Sequence, residues 1–203
     1  MDETPKKSTV GILAYGSLLS DPRAEIEKAQ TSIVQDVVTP FHIEFARSST
    51  GRGGAPTLVP VASGGTNVTG QIFVIDVSEA EATDILYRRE IGKVGDTKRT
   101  CKRPDQVTEN SVLVERLTNF AGLDVVLYTQ IAANITPLTA KRLSELAIAS
   151  VAKAKPELDG ISYLIAAKKH SIATALSTTY EAEILKETQC ESLLEAGSKL
   201  LAR

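Results

Sequence analysis

The sequence predicts an α+β fold: a small mixed, partly closed β-sheet or barrel with outer helices and a helical C-terminal extension. Two observations carry that expectation. Between Val10 and Ile131, β-branched and aromatic residues recur in short runs with period-two alternation, separated by turn-rich segments. After Thr136 the pattern changes to Ala, Leu, Glu and Lys at helical spacing. A chain of 203 residues, 42% hydrophobic and 24% charged, has globular proportions and is long enough to bury a core without disulfides or a structural metal. Residues 1–135 are therefore read as one domain and residues 136–203 as a helical extension packed on it.

Val10 to Tyr15 is the first expected strand. Ser20-Asp21-Pro22 then sets a capping side chain ahead of a proline suited to a first helical turn, which predicts a helix over residues 23–30. Phe41, Ile43 and Phe45 alternate as a strand, and residues 57–62, 68–77, 112–117 and 124–131 supply four more. In the loop before Pro56, Gly51-Arg52-Gly53-Gly54 lacks the spacing and the following helix of a phosphate loop and reads as a tight or mobile turn. Ser78-Glu79-Ala80-Glu81 is a capping box, in which a serine and the glutamate three positions on satisfy each other's free amides. Ala82, Ile85 and Leu86 form the apolar face of that helix, which should end near Arg89 or Glu90, before Gly92. In the extension, Leu138, Leu143, Leu146 and Val151 mark one helix, Pro156 and Gly160 break it, and residues 161–176 and 180–201 are expected as two more.

Composition narrows the function. The 23 Lys and Arg against 25 Asp and Glu give a net charge of −2 and no field to attract nucleic acid, so no nucleic-acid partner is expected. No run approaches the ~18 apolar residues of a membrane span, and the N-terminus shows no signal-peptide pattern; no membrane partner and a cytoplasmic location with reduced thiols are the expectation. His42, His170, Cys101 and Cys190 lie too far apart in sequence for short-range metal spacing, and no metal site is predicted from them. A serine-hydrolase elbow, a phosphate loop and a dinucleotide fingerprint are all missing.

Two segments remain as candidate chemistry. An apolar strand ends in Tyr15-Gly16-Ser17-Leu18, and a strand-to-turn junction with glycine leaves backbone amides free to bind a carboxylate or a developing oxyanion; an ordinary turn is the other reading of the same residues. The second is Glu90, a carboxylate closing a short helix, which is either a general acid/base or an exposed helix-end glutamate.

Together these segments resemble the γ-glutamylcyclotransferase superfamily, including its ChaC-like and AIG2-like members. In that family a strand ends in a Y-G-S-[LN] loop, and a glutamate follows a short helix further on; here Glu90 stands 75 positions after Tyr15. Residues 41–65 followed by Val68-Thr69-Gly70-Gln71-Ile72-Phe73 are similar to the family's aromatic strand, Gly-rich loop and V-x-G-x-[VI]-[FY] strand. Asp124 to Tyr128 resembles the strand that supplies a pocket tyrosine, and Gly160-Ile161-Ser162-Tyr163-Leu164 resembles the ChaC-like C-terminal helix.

The resemblance implies cyclisation of a γ-glutamyl group to 5-oxoproline with release of an amine or peptide, without cofactor or metal. Glu90 is then the general acid/base, and Tyr15, Gly16, Ser17, Leu18 and Tyr128 bind the small-molecule γ-glutamyl substrate. Arg89-Glu90-Ile91-Gly92-Lys93-Val94 departs from the ChaC-like pattern in having no aromatic residue after the glycine. Glutathione, a γ-glutamyl amino acid and a γ-glutamyl amine all stay open as substrates, and so does the oligomeric state. A catalytically silent member that binds a small ligand or a protein partner is the alternative.

Overall fold

In the computed structural model, which describes residues 8–202, a five-stranded mixed sheet has the order β2-β5-β1-β7-β6. Its strands are β1 (Val10–Ala14), β2 (Gln30–Val38), β5 (Thr69–Ile75), β6 (Leu113–Phe120) and β7 (Leu123–Gln130). β1 runs antiparallel to β5 and parallel to β7, and all five of its residues are buried because neighbours cover both edges and both faces. β3 (His42–Ser49) and β4 (Ala55–Val61) form a separate antiparallel pair. Residues 1–7, on which the reading of the N-terminus partly rests, and residue 203 lie outside the described residues.

The sheet is open rather than partly closed or barrel-like. Among the described residues no pairing joins the edge strands β2 and β6. β3 and β4 are spent on each other instead, with further backbone links through an isolated bridge between Ile43 and Thr66 and through the Ala46 carbonyl, which accepts from Asn134 N and Ile135 N.

β2 was not expected from the sequence, and the reason is geometric. Register shifts fall between Gln30 and Ser32 and between Val34 and Val37, and Asp36 has a φ of 54°. Each bulge flips the side-chain alternation that marks a strand.

α1 (Ser17–Ser20) and α2 (Arg23–Ala29) follow β1, and α3 (Glu79–Glu90) follows β5. Ser20 does not cap α2; its hydroxyl pairs with His170 Nε2 at 2.8 Å. Ser78 does cap α3, with its Oγ accepting from Glu81 N at 3.2 Å. In the C-terminal part, α4 (Ala140–Val151) matches expectation, but α5 (Gly160–Lys169) stops early, and the last expected helix is two, α6 (Ser177–Thr188) and α7 (Leu193–Leu201). Ser171 and Gln189 adopt left-handed backbone at φ 57° and 53°, which ends α5 and α6. Ser192 Oγ then accepts from Glu195 N to start α7, a capping signal that is plain in Ser192-Leu193-Leu194-Glu195.

Three apolar clusters result. Ile12, Phe73, Val125 and Leu127 face α2 and α3 through Ile26, Ile85 and Leu86. Leu13, Ile72, Leu123 and Val126 fill the other side of the sheet. The largest joins β3 and β4, through Ile43, Phe45 and Leu58, to the four C-terminal helices. Within it Tyr180 is fully buried, its ring 5.4 Å from that of Phe45, and its hydroxyl has no hydrogen-bond partner among the described residues. Removing that orphan removes a desolvation cost of ~1 kcal/mol or more. Tyr180→Phe should therefore leave thermal stability unchanged or raise Tm by roughly 2–4 °C; a clear fall in Tm would show that the hydroxyl has a partner.

Candidate functional site

The C-terminal end of β1 leads into the site. Gly16 turns the chain with a φ of 65°, and α1 begins at Ser17. A Cβ at Gly16 would stand 2.7 Å from Tyr163 Oη, so glycine is needed both for the backbone and for the approach of α5. Tyr163 Oη in turn accepts from Leu58 N at 3.4 Å, which joins α5, β4 and the loop after β1 at one point. Tyr15 donates its phenol proton to the Thr129 carbonyl at 2.6 Å and fixes the loop to the end of β7. Burial, then the nearby Glu90, pushes the Tyr15 pKa well above 10.0, so this donor keeps its proton at neutral pH.

Glu90 arrives from the other side, at the last residue of α3, where Gly92 with φ 67° follows the helix end. Its side chain is only 14% exposed, and Oε1 accepts from Arg89 Nη1 at 2.6 Å. Oε2 has no hydrogen bond among the described residues. Arg89 also reaches Ser17 Oγ at 3.3 Å and the Asp21 carbonyl at 2.8 Å through Nη2. One guanidinium thus ties the glutamate to the loop after β1.

Tyr15, Ser17, Leu18 and Glu90 line one cavity of about 50 Å³, together with Leu58, Arg89, Thr129 and Tyr163. No protein-family model and no curated protein matches the chain. Two clefts of about 290 Å³ each share lining residues with that cavity, one lined by Gly16, Ser17, Arg52, Tyr163 and Ala166 and the other by Ser17, Arg52, Arg89 and Glu90.

Tyr128 is not brought to this cavity. Side chains alternate along β7, so Val125 and Leu127 face α3 whereas Val126 and Tyr128 face the opposite side. The Tyr128 ring stacks on Phe41 at 4.4 Å, and Phe41 meets the Tyr15 ring edge-on at 5.9 Å, so Tyr128 buttresses Tyr15 through an intervening ring. Sequence reasoning assigned no role in the site to Arg52 or Arg89, because their positions depend on long-range packing. Tyr163 had been noted in its helix but not as a wall of the site. Among the described residues no group of His, Cys, Asp and Glu could hold a metal ion, and no helix is long and apolar enough to cross a membrane.

Arg88 points away from its neighbours, into a bidentate contact with Glu25 on α2 at 2.6 to 3.1 Å. Gly95 N also donates to Glu25 at 3.0 Å, so the pair anchors both α3 and the turn beyond Glu90. The hydrogen bond from Arg88, with help from Gly95, holds the Glu25 carboxyl below the ordinary value of 4.5. The stabilisation is complete above that value and is lost as pH falls through the lower folded-state value. Denaturant midpoints of the wild type and Glu25→Gln should therefore differ at pH 7 and converge as pH falls below about 4.5; a gap that stays constant to pH 3 would separate Glu25 from the acid response.

Proposed function

We propose that this protein is a γ-glutamylcyclotransferase-like enzyme. The observation that carries the reading is that the Tyr15–Leu18 loop and Glu90, paired first by their resemblance to the family's motif, line the same cavity although 75 positions apart in sequence. The substrate is held folded, with its α-ammonium at Glu90 Oε2. Glu90 takes the ammonium proton; the amine nitrogen attacks the γ-carbonyl carbon and closes a five-membered ring. The bond from the γ-carbon to the departing nitrogen then breaks as the carbonyl re-forms, and the proton on Glu90 passes to that nitrogen; the ring nitrogen gives up its second proton through Glu90 to the released amine, leaving 5-oxoproline and a protonated amine or peptide.

Nucleophile and electrophile belong to one molecule, so orientation supplies much of the rate; effective molarities of such internal reactions reach about 10⁵ to 10⁸ M. In this reading backbone amides of the Tyr15–Leu18 loop stabilise the oxyanion that develops on the γ-carbonyl. Arg89 fixes Oε1 and leaves Oε2 for proton transfer. Ser17 is no nucleophile, since its hydroxyl meets Arg89 and not a base. The part of this reading that concerns Tyr128 is indirect: it stiffens the loop through Phe41.

The test is 5-oxoproline release by the purified protein from glutathione, γ-glutamyl amino acids and γ-glutamyl amines, without added metal. Turnover of at least one class supports the reading. A folded protein that releases nothing from any of them overturns it in favour of a ligand-binding member of the same fold.

A further inference from the structure

Arg52 stands apart from the other cations around the clefts. Arg23 is paired with Asp21 at 2.7 Å and Arg89 with Glu90 at 2.6 Å, whereas Arg52 has no ion pair among the described residues. Among those residues its side chain makes one hydrogen bond, a long one of 3.4 Å from Nη1 to the Leu158 carbonyl, and its guanidinium lies 4.6 Å above the centre of the Tyr163 ring. Burial pulls its pKa below the usual arginine value, as for a half-buried charge without a counterion. The acidic residues in the same cleft are Asp21, already paired, and the exposed Glu157.

The loop that carries Arg52 is also held in place. Arg52 ends a 3-10 turn, and a Cβ on the following Gly53 (φ 65°) would stand 2.7 Å from Ala154 N and 3.0 Å from the Ser150 carbonyl. The loop therefore sits directly on the end of α4. Ser48 Oγ bonds the Gly54 carbonyl at 2.9 Å and closes the loop at its base.

We infer that Arg52 recognises a carboxylate on the departing half of the substrate, which makes the preferred substrates γ-glutamyl amino acids or peptides rather than γ-glutamyl amines. The inference rests on the γ-glutamyl reading of the site, and the geometry sets the direction. Glu90 lines the inner cavity and one outer cleft, whereas Arg52 lines both outer clefts and is not part of the inner lining. The inner cavity shares Ser17 and Tyr163 with one outer cleft and Ser17, Arg89 and Glu90 with the other, so a ligand whose reacting end meets Glu90 extends outward past Ser17. There Leu158, Ala166 and Ala167 offer an apolar wall for a side chain, and Arg52 offers a planar donor fork for the carboxylate beside it.

The experiment compares γ-glutamyl-alanine with γ-glutamyl-ethylamine, which lacks the distal carboxylate, in the wild type, Arg52→Gln and Arg52→Lys. The wild type is expected to prefer the alanine compound by roughly 10- to 100-fold in kcat/KM, and Arg52→Gln to erase most of that preference by weakening the alanine compound alone. Arg52→Lys should fall between them. An equal loss on both compounds, or an unchanged preference, overturns the inference. A second arm measures calorimetric binding of both compounds to the Glu90→Gln protein, with and without Arg52→Gln. Carboxylate-dependent binding that needs Arg52 upholds the recognition even if the wild type turns over neither compound, in which case only the reaction fails. Equal binding of both compounds overturns the recognition whatever the turnover.

Discussion

Glu44→Ala is expected to destabilise the protein by roughly 2–6 kcal/mol, a large share of the ~5–15 kcal/mol that keeps a domain folded. Glu44 is fully buried on β3 and accepts from Phe45 N at 2.9 Å, from Leu176 N at 3.0 Å and from the Thr174 hydroxyl. Truncation leaves the buried Phe45 amide and the part-buried Leu176 amide without this acceptor, each costing about 1–3 kcal/mol. Thr174 loses less, because its hydroxyl also meets Ser177 Oγ at 2.9 Å. Glu44→Gln keeps the shape but turns an NH₂ toward groups that donate, and it should fall between Ala and the wild type. Urea unfolding followed by far-UV circular dichroism measures both; a loss under 1 kcal/mol for Glu44→Ala would mean that water replaces the carboxyl oxygens.

Glu90→Gln is expected to lower turnover by about 10² to 10⁴ while leaving the unfolding midpoint near that of the wild type. The amide oxygen can still accept from Arg89 Nη1, so the link from α3 to Ser17 and Asp21 survives. What disappears is the oxygen to which the proposed reaction assigns the proton. Turnover within a few-fold of wild type in this variant would remove Glu90 from the proton-transfer role. A collapse of stability would instead mark the Arg89–Glu90 pair as a structural staple, and the two results are told apart by the unfolding curve.

The strands that were legible in the sequence are those whose alternation survives. β1, β5 and β7 alternate between two packed faces, and their expected bounds differ from those observed by one or two residues. β2 was hidden by its bulges. Glu44 was hidden in another way: Phe41, Ile43 and Phe45 read as a one-sided apolar strand, which puts Glu44 on the wet side. In the structure Ile43 through Ala46 are all buried, because helices close over the β3–β4 pair. No local pattern announces that a strand will be covered twice.

The site divides similarly. The loop at Tyr15 and the helix-end Glu90 carry local signals, a strand-glycine junction and a capped helix of defined length, and they meet. Tyr163 and Arg52 carry none that point to a cleft. Their places come from contacts spanning a hundred positions or more, such as the bond from Arg52 to the Leu158 carbonyl and that from Leu58 N to Tyr163 Oη.

The contact between Gly16 and Tyr163 makes the cleft a seam. One wall belongs to the five-stranded sheet and its loop, the other to a helix whose core is shared with β3 and β4. Neither wall is complete without the other, so ligand binding gauges how firmly the two halves of the molecule are docked. Anything that loosens the C-terminal helices silences the cleft while every strand of the large sheet remains paired.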